Sequence, residues 1–200
     1  MKLIAITTPN FFEGEGLILT ALFQEGMEKV HLRKPQGDKQ VLRLLLDTVP
    51  EVFHSRIVLH DHFELTSEYN LAGIHLNSRN HIIPEGFKGS ISRSCHSLQE
   101  VKENRQLDYV FLSPVFESIS KEGYGSGFSL ETLQDAASHK IINEKVIALG
   151  GISNETIPSI RSIGFGGVAV LGALWGKVPD ISQKETIINQ YKNIQLCLKR

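Results

Sequence analysis

Val146-Ile147-Ala148-Leu149-Gly150-Gly151-Ile152-Ser153 and Gly167-Val168-Ala169-Val170-Leu171-Gly172-Ala173 decide the fold. Each is a short Val/Ile/Leu run without strict alternation that stops at glycine, the pattern of a parallel strand buried on both faces. Six more such runs precede them: Leu3-Ile4-Ala5-Ile6, Val30-His31-Leu32, Ile57-Val58-Leu59, Gly73-Ile74-His75-Leu76, Ser90-Ile91-Ser92 and Tyr109-Val110-Phe111-Leu112. Helical patterns fall between them, so the chain reads as repeated βαβ units. Eight units in 200 residues average 25 residues each. The expectation is one α/β domain over 1–200, a single (β/α)8 barrel near its minimal length. An open doubly wound sheet is the alternative, but Ile6-Thr7-Thr8-Pro9 stands where a glycine-rich dinucleotide loop would follow the first strand.

The helix signals are local. Gly14 to Gln24 carries Leu17, Leu19, Leu22 and Phe23, and a second helix starts at Asp38 with Pro50 near its end. Ser97 with Glu100 three residues on has capping-box spacing. Helices are also expected over 129–137 and 153–163, the latter stopped by Gly164, and over 183–198.

Composition narrows the function. There are 21 Lys+Arg against 22 Asp+Glu, a net charge of -1, which speaks against a general nucleic-acid binder. A small anionic substrate needs only one local patch of positive charge. Cys95 and Cys197 have no metal-ligand spacing and suggest a reduced, cytoplasmic setting. The first nine residues are too short an apolar stretch for a signal-peptide core, and the longest apolar run is about half a membrane span. No membrane partner is expected, and a homo-oligomer is compatible with the sequence.

In a (β/α)8 barrel, chemistry gathers at the C-terminal ends of the strands. Those ends supply His31, Arg33 and Lys34; His60 and Asp61; His75 and Asn77; Arg93 and His96; and Ser113, Ser118, Ser120 and Lys121. The last two end in Gly150-Gly151 and Gly172, at the positions of a barrel phosphate cradle. Glycine lets backbone N–H groups approach a phosphate, and a helix opening at Ser153 would add favourable partial charge. Arg33-Lys34 reads either as an anion clamp or as a solvated surface pair. In His60-Asp61-His62 alternate side chains point opposite ways, which favours Asp61 as a site residue over a histidine zinc site. Cys95-His96 are chain neighbours, which seldom meet as nucleophile and base. Residues 117–127, with several polar side chains and three glycines, read as a loop over the mouth.

These segments resemble the family of thiamine phosphate synthases and their relatives, the TenI thiazole tautomerases. The resemblance runs through Val30-His31-Leu32-Arg33-Lys34, Leu59-His60-Asp61, Gly73-Ile74-His75-Leu76, Ser92-Arg93-Ser94-Cys95-His96-Ser97, Asp108 to Phe116, Ala148 to Ile152 and Gly167 to Val170. It implies a (β/α)8 barrel that joins a pyrimidine methyl diphosphate to a thiazole phosphate and releases diphosphate. By position it implies that Arg33 and Lys121 contact diphosphate and that Ser118 and Ser120 replace threonines of the catalytic loop. Gly150, Gly151, Leu171 and Gly172 would serve the thiazole phosphate, while His31, His60, Ser94 and His96 are further substrate-binding candidates. Asp61 would bind Mg²⁺, with Asn80 where the family has a second aspartate, so Mg²⁺ should bind weakly. His31 stands for a family glutamine, His60 for an asparagine, Pro35 for a lysine and Ser113 for a glycine. The tautomerase's acid–base histidine falls at Pro114; that reading would need His31 or His96 as its base. A non-catalytic phosphate-binding relative is the third reading.

Overall fold

The computed structural model describes residues 1–116 and 127–199. All eight expected strands form: β1 (Lys2–Ile6), β2 (Lys29–Leu32), β3 (Ile57–Leu59), β4 (Gly73–Leu76), β5 (Ser90–Cys95), β6 (Tyr109–Leu112), β7 (Val146–Leu149) and β8 (Gly167–Val170). Each pairs in parallel with the next, and β8 closes on β1 with Lys2 opposite Gly167 and Ala5 opposite Val170. This closed barrel replaces the open-sheet alternative.

The apolar runs hide a period of two. Val30 and Leu32, Ile57 and Leu59, Val110 and Leu112, Val146 and Ala148, and Val168 and Val170 belong to the large core between barrel and helices. Ile4, Ile6, Tyr109, Phe111, Ile147 and Ala169 form a second cluster inside the barrel. Both faces of most strands are covered, so alternation vanishes from those runs although it governs the structure; β5, where only Ser92 and Cys95 are fully buried, is the exception.

Eight α-helices are described: α1 (Glu15–Gln24), α2 (Lys39–Asp47), α3 (Leu65–Glu68), α4 (Leu98–Glu103), α5 (Leu130–Ser138), α6 (Ile157–Ile163), α7 (Gly172–Trp175) and α8 (Lys184–Lys199). Asp38, Ser97 and Ser129 cap α2, α4 and α5, each side chain accepting from a first-turn N–H. Gly164 ends α6 at φ 99, where a side chain would be strained.

Some boundaries differ from expectation. α6 begins at Ile157, not Ser153. Pro158 lies in its first turn, where a missing N–H costs nothing; four residues further into a helix its ring would clash with the preceding turn. Residues 153–156 form a turn instead, in which the Thr156 hydroxyl donates to Gly151 O and accepts from Ser153 N–H, both at 2.9 Å. α2 stops at Asp47, and the segment around Pro50 leads into a 3-10 helix, Glu51–Arg56. β5 runs on to Cys95, past the expected Ser92. The four-residue α3 and α7 were not foreseen, being too short to show periodicity. In α7, Trp175 is buried and donates its indole N–H to Ile6 O at 2.8 Å, tying this helix to the end of β1.

Candidate active site

The mouth is built by the segments after β2, β3 and β4 on one side and after β7 and β8 on the other. After β4, the Asn77 side chain shapes a tight turn. Its Oδ1 accepts from the N–H groups of Arg79 (3.0 Å) and Asn80 (3.2 Å), and its Nδ2 donates to His60 O at 2.8 Å. The turn brings Arg79 and Asn80 to Asp61, whose Oδ1 accepts from Arg79 Nη2 at 3.2 Å and from Asn80 Nδ2 at 2.9 Å. Asp61 Oδ2 accepts from Lys34 N–H at 3.3 Å.

Arg33 lies beside this group, half-buried. Burial and the positive charge of Arg79 push its guanidinium below its ordinary pKa, and Asp61 pulls it back. Asp61 is thus ion-paired with Arg79, while Arg33 feels its charge without bonding to it. Arg33 and Lys34 are not a solvated pair. Lys34 is 1% exposed and its Nζ donates to both carboxylate oxygens of Glu15 (2.7 and 2.8 Å) and to Thr8 O and Asn10 O (both 2.9 Å). It is a structural clamp between the end of β2 and α1.

Across the mouth, Gly150 and Gly151 have φ 90 and 65, consecutive left-handed residues that a side chain would strain. A Cβ on Gly150 would also lie 2.8 Å from Pro114 Cα. Gly172, preceded by Leu171, opens α7, and a Cβ there would meet nothing within 4 Å. At the start of α7 the Leu174 and Trp175 N–H groups donate to Leu171 O at 3.0 Å, while those of Gly172 and Ala173 have no acceptor within the helix. The glycine-ended loops thus leave backbone donors near open space, although the helix expected at Ser153 does not contribute.

Beneath the mouth is a polar core. His31, His60 and His75 project from β2, the end of β3 and β4, at 0%, 4% and 0% exposure. His31 is the hub: its Nδ1 is 2.9 Å from His60 Nε2 and its Nε2 is 2.7 Å from the Tyr109 hydroxyl. His60 and His75 stack with ring centres 4.1 Å apart. The Ser92 hydroxyl donates to Ile74 O at 3.2 Å, so its oxygen accepts from His75 Nδ1–H at 2.8 Å. His75 Nε2 is then the acceptor for the Ser94 hydroxyl at 2.9 Å. Burial holds all three histidines neutral: His75 is lowered to about 3, and His31 and His60 fall well below 6.5, helped by their neighbours' charges. Their ligand atoms lie within 4.8 Å of one another, as a metal would require. Their hydrogen bonds to one another and to Tyr109, Ser92 and Ser94 already use those nitrogens, and the set reads as a satisfied polar network.

The sequence-expected residues are therefore only partly gathered. Arg33, Asp61 and Asn80 meet at the mouth, and Gly150, Gly151, Leu171 and Gly172 border it. His31 and Ser94 sit below it within the barrel. His60 joins the two layers, its carbonyl held by Asn77 and Asn80 and its ring by His31. His96 is exposed at the end of β5, with Nδ1 2.8 Å from Ser113 O. Cys95 is buried, its thiol pushed up to about 11 by burial, and is no nucleophile. Ser118, Ser120, Lys121 and the loop over 117–126 lie outside the described residues. Arg79 and Tyr109 were missed, because only the turn after β4 and the closure of the barrel reveal their partners.

The Asp61 and Asn80 pair was the expected Mg²⁺ site. Mg²⁺ requires about six oxygen ligands near 2.1 Å. Asp61 offers the only carboxylate of the pair, and its Oδ1 already accepts from a guanidinium and an amide. Asn80 presents its NH₂ rather than its carbonyl to the group. This donor set does not fit a divalent cation.

Comparison with known proteins agrees with the fold. The sequence model of a family described as thiamine monophosphate synthase matches residues 3–174. A thiamine-phosphate synthase of Synechococcus sp. strain CC9311 is 31% identical, the match covering 86% of this chain and 52% of that protein. One from Latilactobacillus sakei is 28% identical over 69% of this chain and 64% of its own length. The chain thus spans roughly half to two thirds of these two relatives. The crystal structure of a thiamine phosphate pyrophosphorylase from Bacteroides thetaiotaomicron is 43% identical, covers 100% of this chain and 98% of its own, and superposes with a TM-score of 0.90.

Proposed function

The chain belongs to the thiamine monophosphate synthase family, and from that premise we propose that it is a transferase of thiamine biosynthesis, acting on two phosphorylated small molecules. The carbon–oxygen bond between the pyrimidine methylene and its diphosphate breaks, and the electron pair leaves with the diphosphate oxygen. The ring nitrogen of the thiazole phosphate then supplies the electron pair of a new carbon–nitrogen bond. The products are thiamine phosphate and diphosphate.

One observation carries this reading: the mouth has two separate anion-favouring halves. Arg33 stands over β2 on one side, and the glycine-ended loops of β7 and β8 border the other. A diphosphate leaving group fits the first half and a phosphate monoester the second. Arg33 and Lys121 are assigned to the departing diphosphate, where fixed positive charge counts most as negative charge develops. Ser118 and Ser120 are assigned to the loop that closes over it, and the N–H groups near Gly151 and Gly172 to the thiazole phosphate. The neutral histidines beneath present no cation to the site and favour retention of the carbocation formed when diphosphate leaves.

The isomerase reading has less support. His31, one candidate base, is fully buried and hydrogen-bonded at both nitrogens, and Pro114 cannot move a proton. Among the described residues no helix is long and apolar enough to cross a membrane, and a cytoplasmic setting is part of this proposal.

The test is diphosphate release with both substrates and Mg²⁺ supplied, so that no metal requirement confounds it. Release dependent on both substrates is expected. Release from neither, with a change in the ultraviolet spectrum of thiazole phosphate carboxylate, would favour the isomerase. Lys121→Ala is expected to lower kcat by about 100-fold, the order seen when one charge-stabilising donor is lost, while thiazole phosphate binding measured by calorimetry changes less than about threefold. Equal losses in both would show that Lys121 is not dedicated to the leaving group.

A further inference from the structure

We propose that Arg79 takes the place of a divalent cation in this mouth, so that the diphosphate half of the site is held by two guanidiniums and needs no metal. This inference rests on the transferase reading above and concerns how its leaving group is bound.

Three observations converge. The first is position. Arg79 Nη2 sits 3.2 Å from Asp61 Oδ1, on the carboxylate expected to ligate the metal. A cation bound at that oxygen would lie against the guanidinium and be repelled by it. The second is the donor set. Asn80 Nδ2, at 2.9 Å, uses the same oxygen, and Lys34 N–H occupies the other. Asp61 is only 7% exposed, so little of it is left for a new ligand. The third is charge. Arg33 and Arg79 together exceed the single carboxylate by one positive charge, and burial together with the neighbouring Arg79 pushes the Arg33 guanidinium below its ordinary pKa, a strain that a bound anion relieves. Among the described residues the Arg33 guanidinium has no ion-pair partner within bonding distance.

The geometry suits a diphosphate. Arg79 is 41% exposed, so part of its planar fork faces solvent while one nitrogen is anchored on Asp61. A guanidinium binds phosphate oxygens in pairs and is more weakly hydrated than a metal ion, so no tightly held water must be stripped first. Asn77 fixes the backbone N–H of Arg79, from which the side chain reaches Asp61. The absence of a second carboxylate at Asn80 fits the same logic: an aspartate there would neutralise the guanidinium that replaces the metal.

The test is calorimetric titration of inorganic pyrophosphate into the intact protein, once in EDTA and once in Mg²⁺. Binding in EDTA is expected, with Mg²⁺ changing the dissociation constant by less than about threefold. Arg79→Ala should weaken binding in EDTA by about tenfold or more, the order for losing charge-assisted hydrogen bonds. The exposed position of Arg79 makes this variant safe for folding, which circular dichroism verifies. The pair Arg79→Asp with Asn80→Asp should bind pyrophosphate only when Mg²⁺ is present. Wild-type binding that requires Mg²⁺, or Arg79→Ala binding as well as wild type in EDTA, would overturn the inference and leave the transferase reading standing on its products. Failure to bind pyrophosphate in either medium would overturn the inference too, and failure to form products in the separate transfer assay is what would remove the transferase reading.

Discussion

Replacing Glu15 by alanine is expected to destabilise the protein by about 3–5 kcal/mol, the cost of leaving a buried charge without its partner. Glu15 and Lys34 are 2% and 1% exposed and 2.7 Å apart. Burial pushes the Glu15 carboxyl up and the Lys34 ammonium down, and each partner pulls the other back toward the charged form. Taking away the carboxylate leaves the ammonium with only the Thr8 and Asn10 carbonyls. The damage reaches the mouth, because Lys34 N–H is a donor to Asp61 and Arg33 is its neighbour. Glu15→Gln should cost less, since an amide oxygen still accepts. Combining Glu15→Leu with Lys34→Met should cost less than the sum of the two single changes, the signature of direct coupling. Urea unfolding of these five variants, the two single changes and their combination included, measures this. A loss under about 1 kcal/mol for Glu15→Ala would show that the pair is not the clamp described.

The second large effect is acid sensitivity. His31, His60 and His75 have folded pKa values below the ordinary 6.5, with His75 near 3. Above pH ~6.5 they are neutral in both folded and unfolded chains, so stability is fully present. As pH falls through 6.5 the unfolded chain takes up protons that the folded chain refuses. Stability then declines by up to three protons' worth, about 4 kcal/mol per pH unit, until the folded pKa values are reached. Set against a total stability of about 5–15 kcal/mol, this predicts acid unfolding one to a few units below pH 6.5. Glu15, whose folded pKa is raised, works the other way below its own folded pKa and softens the fall only slightly. Unfolding free energy measured by urea from pH 8 to 5 is the check. His31→Gln with His60→Asn, the amides that the family resemblance places there, should cut the slope to about one third, since only His75 is left. Stability that stays level from pH 7 to 5 would contradict the buried neutral network.

How much of this was written in the sequence varies by residue. The strands were legible because those buried on both faces are mostly Ile, Val and Leu, and turn residues bound each run. The glycine-ended runs after β7 and β8 and the polar residues after β2 and β3 were legible for the same reason: a strand that stops at Leu32 or Leu59 leaves the next side chains at the mouth. α6 was misplaced because Ser153 looked like a cap, while Pro158, which sets the start, was given no weight. Lys34 looked like half of a surface pair because nothing local announces Glu15, 19 residues earlier in the chain. The histidine network and the Arg79–Asp61 contact were invisible for a related reason. The histidines and Tyr109 come from β2, the end of β3, β4 and β6, which meet only inside the barrel, and Arg79 reaches Asp61 only through the turn after β4.

The central claim is that this mouth joins two phosphorylated substrates and expels diphosphate. It is tested most directly by a single-turnover experiment, with protein in excess over pyrimidine methyl diphosphate and thiazole phosphate in equal amounts. Quenched samples are assayed for thiamine phosphate and diphosphate together. The account predicts that both appear at one rate and in equal amounts, and that neither appears when one substrate is omitted. Diphosphate without thiamine phosphate, or no product from folded protein, would contradict it.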